Sequence, residues 1–288
     1  MDMFKPMSWY IGSEWTMPRK GLRKHVLSLD NFKHLDKPHL VSKVTLKVEE
    51  VHNLNERKSR HLANEVLGLE QLLEMGNALT PVDYYVELLV RQFVVGERAR
   101  CFITTKREEI SFIMSLVSIH ETKEIQKLSV AEIYSLALRY KENGVTMFKQ
   151  YPLFAHDYFS RAAKCLISYK PHDSLPACMD GVSGKNIQML FTQIQTNLAA
   201  CLLSQHRYED VIYQTKFVEE QSDASEKSIY RRAMALYHLK EFEKARHTIE
   251  HIRNYQEKKE FAKLHQRITE SWKSSNKQYK NLVKRMFT

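Results

Sequence analysis

The chain has 288 residues, 43% apolar and 27% charged, with eight glycines and seven prolines; the length suggests two folded domains and the composition excludes collagen-like and wholly disordered chains. No run of eighteen or more uncharged apolar residues occurs, and Met1–Lys20 lacks a basic segment followed by an apolar one, so the expectation is a chain neither secreted nor membrane-spanning, in the cytoplasm and also the nucleus. The net charge of +10 is uneven: residues 1–128 carry 19 basic and 17 acidic side chains, residues 129–252 carry 15 and 14, and residues 253–288 carry 10 and 3, a balance over most of the length that argues against a nucleic-acid-binding face.

Taken from the amino terminus, Val44, Leu46 and Val48 alternate with polar neighbours, as do Ile110, Phe112, Met114 and Leu116, the period of strands with one buried face. One helix is predicted between them. Thr80 suits its N-cap, Pro81 its first position, and Val82, Tyr85, Leu89 and Phe93 its apolar stripe, which ends at Gly96. Residues 1–125 are therefore expected to be an α+β domain, an antiparallel sheet wrapped on one helix. Ser129 and Glu132 have capping-box spacing, which places the boundary near residues 121–128 and opens an all-α domain over 126–288.

That second part repeats. Asn197 begins N-L-A-A-C and is followed by Tyr208, Val211, Thr215 and Val218; Arg231 begins R-R-A-M-A and is followed by Phe242, Ala245, Ile249 and Ile252. The pairs Asn197 and Arg231, Tyr208 and Phe242, Val211 and Ala245, and Val218 and Ile252 share one offset, the 34-residue tetratricopeptide period. A looser copy lies in K-E-N-G (Lys141–Gly144), Phe148, Ala155, Phe159 and Ala162. Three repeats result, at about 130–168, 188–221 and 225–252. Tyr169 to Lys185, with Pro171, Pro176, Gly181 and Gly184, reads as a long loop. Phe261, Leu264, Ile268, Trp272, Tyr279 and Val283 form one amphipathic helix with a basic outer face from Lys273 to Arg285, expected to cap the apolar end of the stack.

Signals for catalysis or metal binding are weak. Cys101, Cys165, Cys178 and Cys201 show no C-x-x-C spacing, which points to reduced thiols. His247 and His251 flank Glu250 without a third ligand, and Gly181–Lys185 lacks the full phosphate-loop spacing. No metal or cofactor is expected. The informative pattern is cationic: Lys227 and Arg231 lie four apart on one helical face, and Asn197 is the repeat equivalent of Arg231. Stacking in register is expected to bring Asn197, Lys227 and Arg231 to the concave side, with Lys141 from the first repeat.

These residues resemble those of the large FKBP-type immunophilin co-chaperones along essentially the whole chain, down to the tail Lys284–Phe287. The resemblance implies a dicarboxylate clamp for the Glu-Glu-Val-Asp terminus of heat-shock protein 90. Lys141, Asn197, Lys227 and Arg231 match four of its five usual positions, and Val145 stands where the fifth is commonly asparagine. Gly21–Val26, Ser42–Val48 and Gly96–Ile103 resemble strands of an FKBP domain. Its catalytic residues are replaced: Val48 and Val86 stand for pocket aromatics, and residues 104–109 for its long tyrosine-bearing loop. Proline isomerisation needs an apolar cradle for the twisted amide, so no enzymatic activity is expected here. Leu35–Pro38 resembles a degenerate, non-catalytic FKBP-like branch, and the size and layout within that branch imply a clock kinase of the casein kinase 1 type as a further partner. The function expected is that of an adaptor binding proteins, not nucleic acid or membrane; the competing reading is an active peptidyl-prolyl isomerase.

Overall fold

The computed structural model describes residues 10–30, 36–105, 108–121, 125–167, 181–220 and 224–286. Leu35, Tyr169, Pro171, Pro176, Cys178 and Phe287 lie outside these, as do parts of the 104–109 and 121–128 segments. The chain divides into two compact units, Met1–Ile133 and Tyr134–Thr288.

The first unit is built on strand parity. In β2 (Leu22–Leu29) residues 22, 24 and 26 point inward, and in β5 (Glu97–Thr104) residues 97, 99, 101 and 103 do. With β1 (Glu14–Met17), β3 (Lys43–His52), β4 (Glu70–Glu74) and β6 (Glu109–Glu121) they form an antiparallel sheet in the order β1-β2-β5-β6-β3-β4. Met114 sits at its centre, opposite Ala99 on one side and Val48 on the other. The helix α1 (Pro81–Val90) lays Val82, Val86, Leu89 and Val90 on the inner face, and Thr80 caps it by accepting from the Asp83 N–H at 3.1 Å.

This helix stops at Val90, short of the Gly96 that the apolar stripe reaches. Its last carbonyls are diverted into a tight turn: Gln92 N–H donates to Leu89 O at 2.8 Å, and Phe93 N–H to Val90 O at 3.0 Å. The ammonium of Lys24 then takes Gln92 O and pairs with Glu97. Phe93 drops fully into the core, its ring centroid 4.4 Å from Lys24 Nζ. Gly96 closes the turn at φ +83°, where a Cβ would lie 2.0 Å from Asp30 O, so no other residue fits without moving backbone.

α1 also fastens two loops. Glu87, buried, accepts from the N–H groups of Gly76, Asn77 and Ala78 at 3.0, 3.0 and 2.8 Å. Asp83, buried likewise, accepts from Ser59 Oγ and from Arg60 N–H at 3.1 Å.

The second unit holds α2 (Val130–Phe148), α3 (Pro152–Ile167), α4 (Gly184–Ser204), α5 (Tyr208–Gln214), α6 (Phe217–Glu220), α7 (Glu226–His238), α8 (Phe242–Glu250) and α9 (Lys259–Met286) among the described residues. The capping box at the start of α2 is formed in both directions, Ser129 N–H to Glu132 at 2.9 Å and Glu132 N–H to Ser129 Oγ at 3.2 Å. Ser183 caps α4, which explains the glycines around it as a helix entry. The repeat is visible in the backbone: the turn residues His206 and Lys240 both adopt positive φ, +59° and +63°. It is visible in the core too, where Ala199 and Ala233, and Val211 and Ala245, are fully buried.

The periodicity would allow one helix from Tyr208 to Val218, yet α5 and α6 are separate. Arg232 causes the break by drawing Ile212 O onto its guanidinium at 2.8 Å and pairing with Glu219. In α9 only Phe261, Leu264 and Ile268 are buried; they close an apolar cluster with Ile229, Ala233, Leu236, Ala245 and Ile249.

Candidate carboxylate-binding groove

Tandem arginines on α7 part ways because successive residues on a helix face about 100° apart. Arg232 is spent on the α5–α6 junction, whereas Arg231 turns into a cavity of about 700 Å³ that Lys227, one turn earlier, also lines. Arg231 Nη1 donates to Thr196 O on α4 at 2.6 Å. That contact orients the guanidinium without neutralising it. Desolvation pulls its pKa below the ordinary arginine value, a sign that the charge is held partly out of water. No carboxylate forms an ion pair with Lys227 or Arg231 among the described residues, while Glu226, at the same rim, is paired with Lys258.

The rest of the lining is mostly apolar and aromatic, with the Ser204 hydroxyl and the carboxylates of Glu226 and Glu260 among it. Phe148, Leu203, Met234 and Phe261 form walls. The Tyr208 ring stacks on His238 at 4.5 Å and 6°, and its hydroxyl lies 2.8 Å from His206 Nδ1. Desolvation, then the charges of Arg267 and His206, lower the His238 pKa, so that ring is neutral at pH 7. Behind Arg231 the Cys201 thiol is buried and its pKa pushed up to about 12. The site offers two cations, two carboxylates of which Glu226 is paired with Lys258, apolar walls and no activated nucleophile, which suits an anionic group carried on an apolar segment.

Of the four residues the repeat register singles out, the structure brings Lys227 and Arg231 into this cavity. Asn197 follows the carbonyl that holds Arg231, but the lining reaches α4 at Ala200, Leu203 and Ser204. Lys141 stands on α2 with Nζ 3.3 Å from Gln193 Oε1, one turn before Asn197, and the lining reaches α2 at Phe148. Val145 is 55% exposed. Tyr230, Met234 and His238 went unread in the sequence although they lie three and seven residues beyond the two cations, the steps that stay on one helical face.

In the first unit Val48 and Val86 are both 0% exposed and belong to one closed apolar cluster. The connection between β5 and β6 is short and tied down. Thr105 N–H donates to Glu108 O at 2.8 Å, Asn55 Nδ2 to Glu108 Oε2 at 2.7 Å, and Arg57 Nη2 to Thr105 Oγ1 at 3.2 Å.

Comparison with known proteins places these features. Residues 15–121 match the family profile described as BDBT FKBP like N-terminal, and residues 129–213 the one described as Bride of doubletime-like, TPR domain. Protein Bride of doubletime of Drosophila melanogaster is 52% identical over 287 residues, covering 98% of this chain and 100% of that protein. The chain belongs to the Bride of doubletime family. A crystal structure of residues 1–211 of CG17282 is 50% identical, with a TM-score of 0.65, covering 70% of this chain and 98% of that one. The Bride of doubletime family thus supplies both halves, an FKBP-like sheet and a tetratricopeptide stack. No helix among the described residues is long and apolar enough to cross a membrane.

Proposed function

We propose that this member of the Bride of doubletime family is a non-catalytic adaptor whose repeats hold the acidic carboxyl terminus of a protein partner. The observation that carries the reading is the pair Lys227 and Arg231, one turn apart, the second partly desolvated and neither ion-paired with a carboxylate among the described residues, in a groove with apolar walls. The occupant is the Glu-Glu-Val-Asp tail of heat-shock protein 90, with Asn197 and Lys141 meeting it farther along the repeats. The FKBP-like unit offers a second surface, and the relative's name points to the kinase Doubletime, of casein kinase 1 type, as what it regulates. Against isomerase activity stand Val48 and Val86, sealed in the core, and the tied connection at Thr105 and Glu108 where a catalytic loop would overhang.

Charge-assisted hydrogen bonds contribute roughly 1.5–3 kcal/mol each before ordering costs. With Val145 supplying no donor, the tail should bind at about tens of micromolar, near −6 kcal/mol. The test is fluorescence polarisation of the free-acid peptide beside its carboxyl amide. Lys227→Ala and Arg231→Ala should each weaken the acid about tenfold or more, and Val145→Asn should strengthen it. Equal affinity for acid and amide refutes the clamp; proline-peptide isomerisation above background refutes the non-catalytic reading.

A further inference from the structure

The sealing face of α9 does not end where the repeats end. Phe261, His265, Ile268, Trp272, Ser275, Tyr279, Leu282 and Met286 follow one another at alternating steps of four and three, the a and d positions of a heptad. The first three bear on the repeat core, with Phe261 and Ile268 buried, and Arg246 covers one side of Trp272 at 4.7 Å. Beyond Trp272 nothing among the described residues covers the stripe: Tyr279, Leu282 and Met286 are 67%, 58% and 72% exposed. We propose that residues 271–286 of α9 are a self-association seam, pairing antiparallel with the same segment of a second copy of this chain.

Charge placement selects the occupant. Ser271 to Met286 contains five basic residues and no acidic one. Lys273 and Lys280 fall at b, Lys277 and Lys284 at f, on the side of the helix away from the stripe. An amphipathic helix lying on anionic lipid keeps its cations on the polar face but must bring them down to the headgroups flanking the apolar face; here the flanking e and g positions hold Ser271, Asn276, Gln278, Val283 and only Arg285. An acidic protein groove that received the stripe would likewise leave the four lysines on its far side. A second copy needs a nearly uncharged flank, and these positions provide one.

The antiparallel direction follows from size and charge. Centred on Tyr279, it sets Trp272 against Met286 of the second copy and the small Ser275 beside the large Leu282. It also holds the two Arg285 side chains at opposite ends of the seam. A parallel pair would oppose Ser275 to Ser275 and Leu282 to Leu282. Two heptads make a short seam, so half-association is expected at about tens to hundreds of micromolar.

Sedimentation equilibrium of the full chain tests this, from about 1 to 500 μM. The weight-average mass should climb from 34.0 kDa towards twice that value. Tyr279→Glu with Leu282→Glu, at exposed positions, should remain a single chain with an unchanged circular dichroism spectrum, while Lys277→Glu with Lys284→Glu should associate like the wild type. Under mild oxidation Tyr279→Cys should cross-link copies and Met286→Cys should not, against the unmodified chain as control. The mass of one chain at the highest concentration overturns the proposal, as does association that survives the double glutamate variant; a single chain that sediments with phosphatidylserine vesicles overturns it in favour of lipid. Self-cross-linking at Met286→Cys overturns the orientation.

Discussion

Replacing Lys24 with methionine removes the cation from a pair that water does not reach. The side chains of Lys24 and Glu97 are 1% and 0% accessible. Methionine matches the aliphatic stem, so packing against Phe93 survives and the perturbation is electrostatic. Glu97 would keep the Val94 N–H at 3.1 Å but lose its counter-charge, and Gln92 O would lose a donor. Breaking one side of such a pair costs about 3–5 kcal/mol, a large share of the roughly 5–15 kcal/mol that holds a domain folded.

The pH dependence is specific. Burial already raises the Glu97 pKa above the ordinary carboxylate value, with Lys24 acting to lower it, so in the variant the folded pKa rises further. The folded form then holds a proton that the unfolded chain has released. Its stability falls as pH rises from about 4.3, the unfolded value, towards the folded pKa, at about 1.4 kcal/mol per pH unit. The deficit of Lys24→Met should therefore be smaller at mildly acid pH than at neutral pH. Adding Glu97→Gln keeps an acceptor for Val94 N–H without a charge and should restore most of the loss. Urea titration read by hydrogen exchange in β2, α1 and β5 measures all three proteins. A loss under about 1 kcal/mol for the single variant, or a double variant no better than the single, would refute the reasoning.

In α2, Gly144→Ala gains about 1 kcal/mol of helix propensity, but the new Cβ would lie 2.6 Å from Cε1 of Phe159, a buried ring. Overpacking costs about 1–3 kcal/mol, so calorimetry should show a lowered Tm, and a raised one contradicts the packing. Deleting residues 256–288 should destabilise the repeats by removing Phe261, Leu264 and Ile268; deleting only residues 273–288 should leave a dilute sample's melting unchanged, and equal losses would show that the exposed turns are structural. The thiols of Cys165 and Cys201, with pKa values pushed up by burial to about 11 and about 12, should resist iodoacetamide at pH 8 until the chain is denatured. Rapid native alkylation at either, mapped by mass spectrometry, would show an opening of the repeats.

Periodic features were legible in the sequence because each rests on many residues at once. The 34-residue spacing tied Ala199 to Ala233 and Val211 to Ala245, and parity exposed β3 and β6. Features set by a single tertiary contact were not. The early end of α1 depends on Lys24 reaching Gln92 O, and the α5–α6 break on Arg232 reaching Ile212 O, neither of which local pattern encodes. β1 and β4 are short edge strands with little buried side-chain alternation to detect. Lys24 and Glu97 did carry a signal: both sit at inward parity, between Leu22 and Val26 and beside Ala99. For the groove, the cations were visible from spacing, but which walls surround them depends on how α2, α4, α7 and α9 converge.

The grip of α1 on its neighbouring loops bears on how the first unit meets a partner. Glu87 holds residues 76–78 by their backbone N–H groups, and Asp83 holds the Ser59 hydroxyl and the Arg60 N–H, so these segments are set before any encounter. A protein docking there would lose little chain entropy on contact. Complexes formed between such preset surfaces owe differences in affinity mainly to how long they last rather than how fast they form, and a weakened surface contact on this unit would shorten the lifetime of its complex while leaving the rate of encounter nearly unchanged.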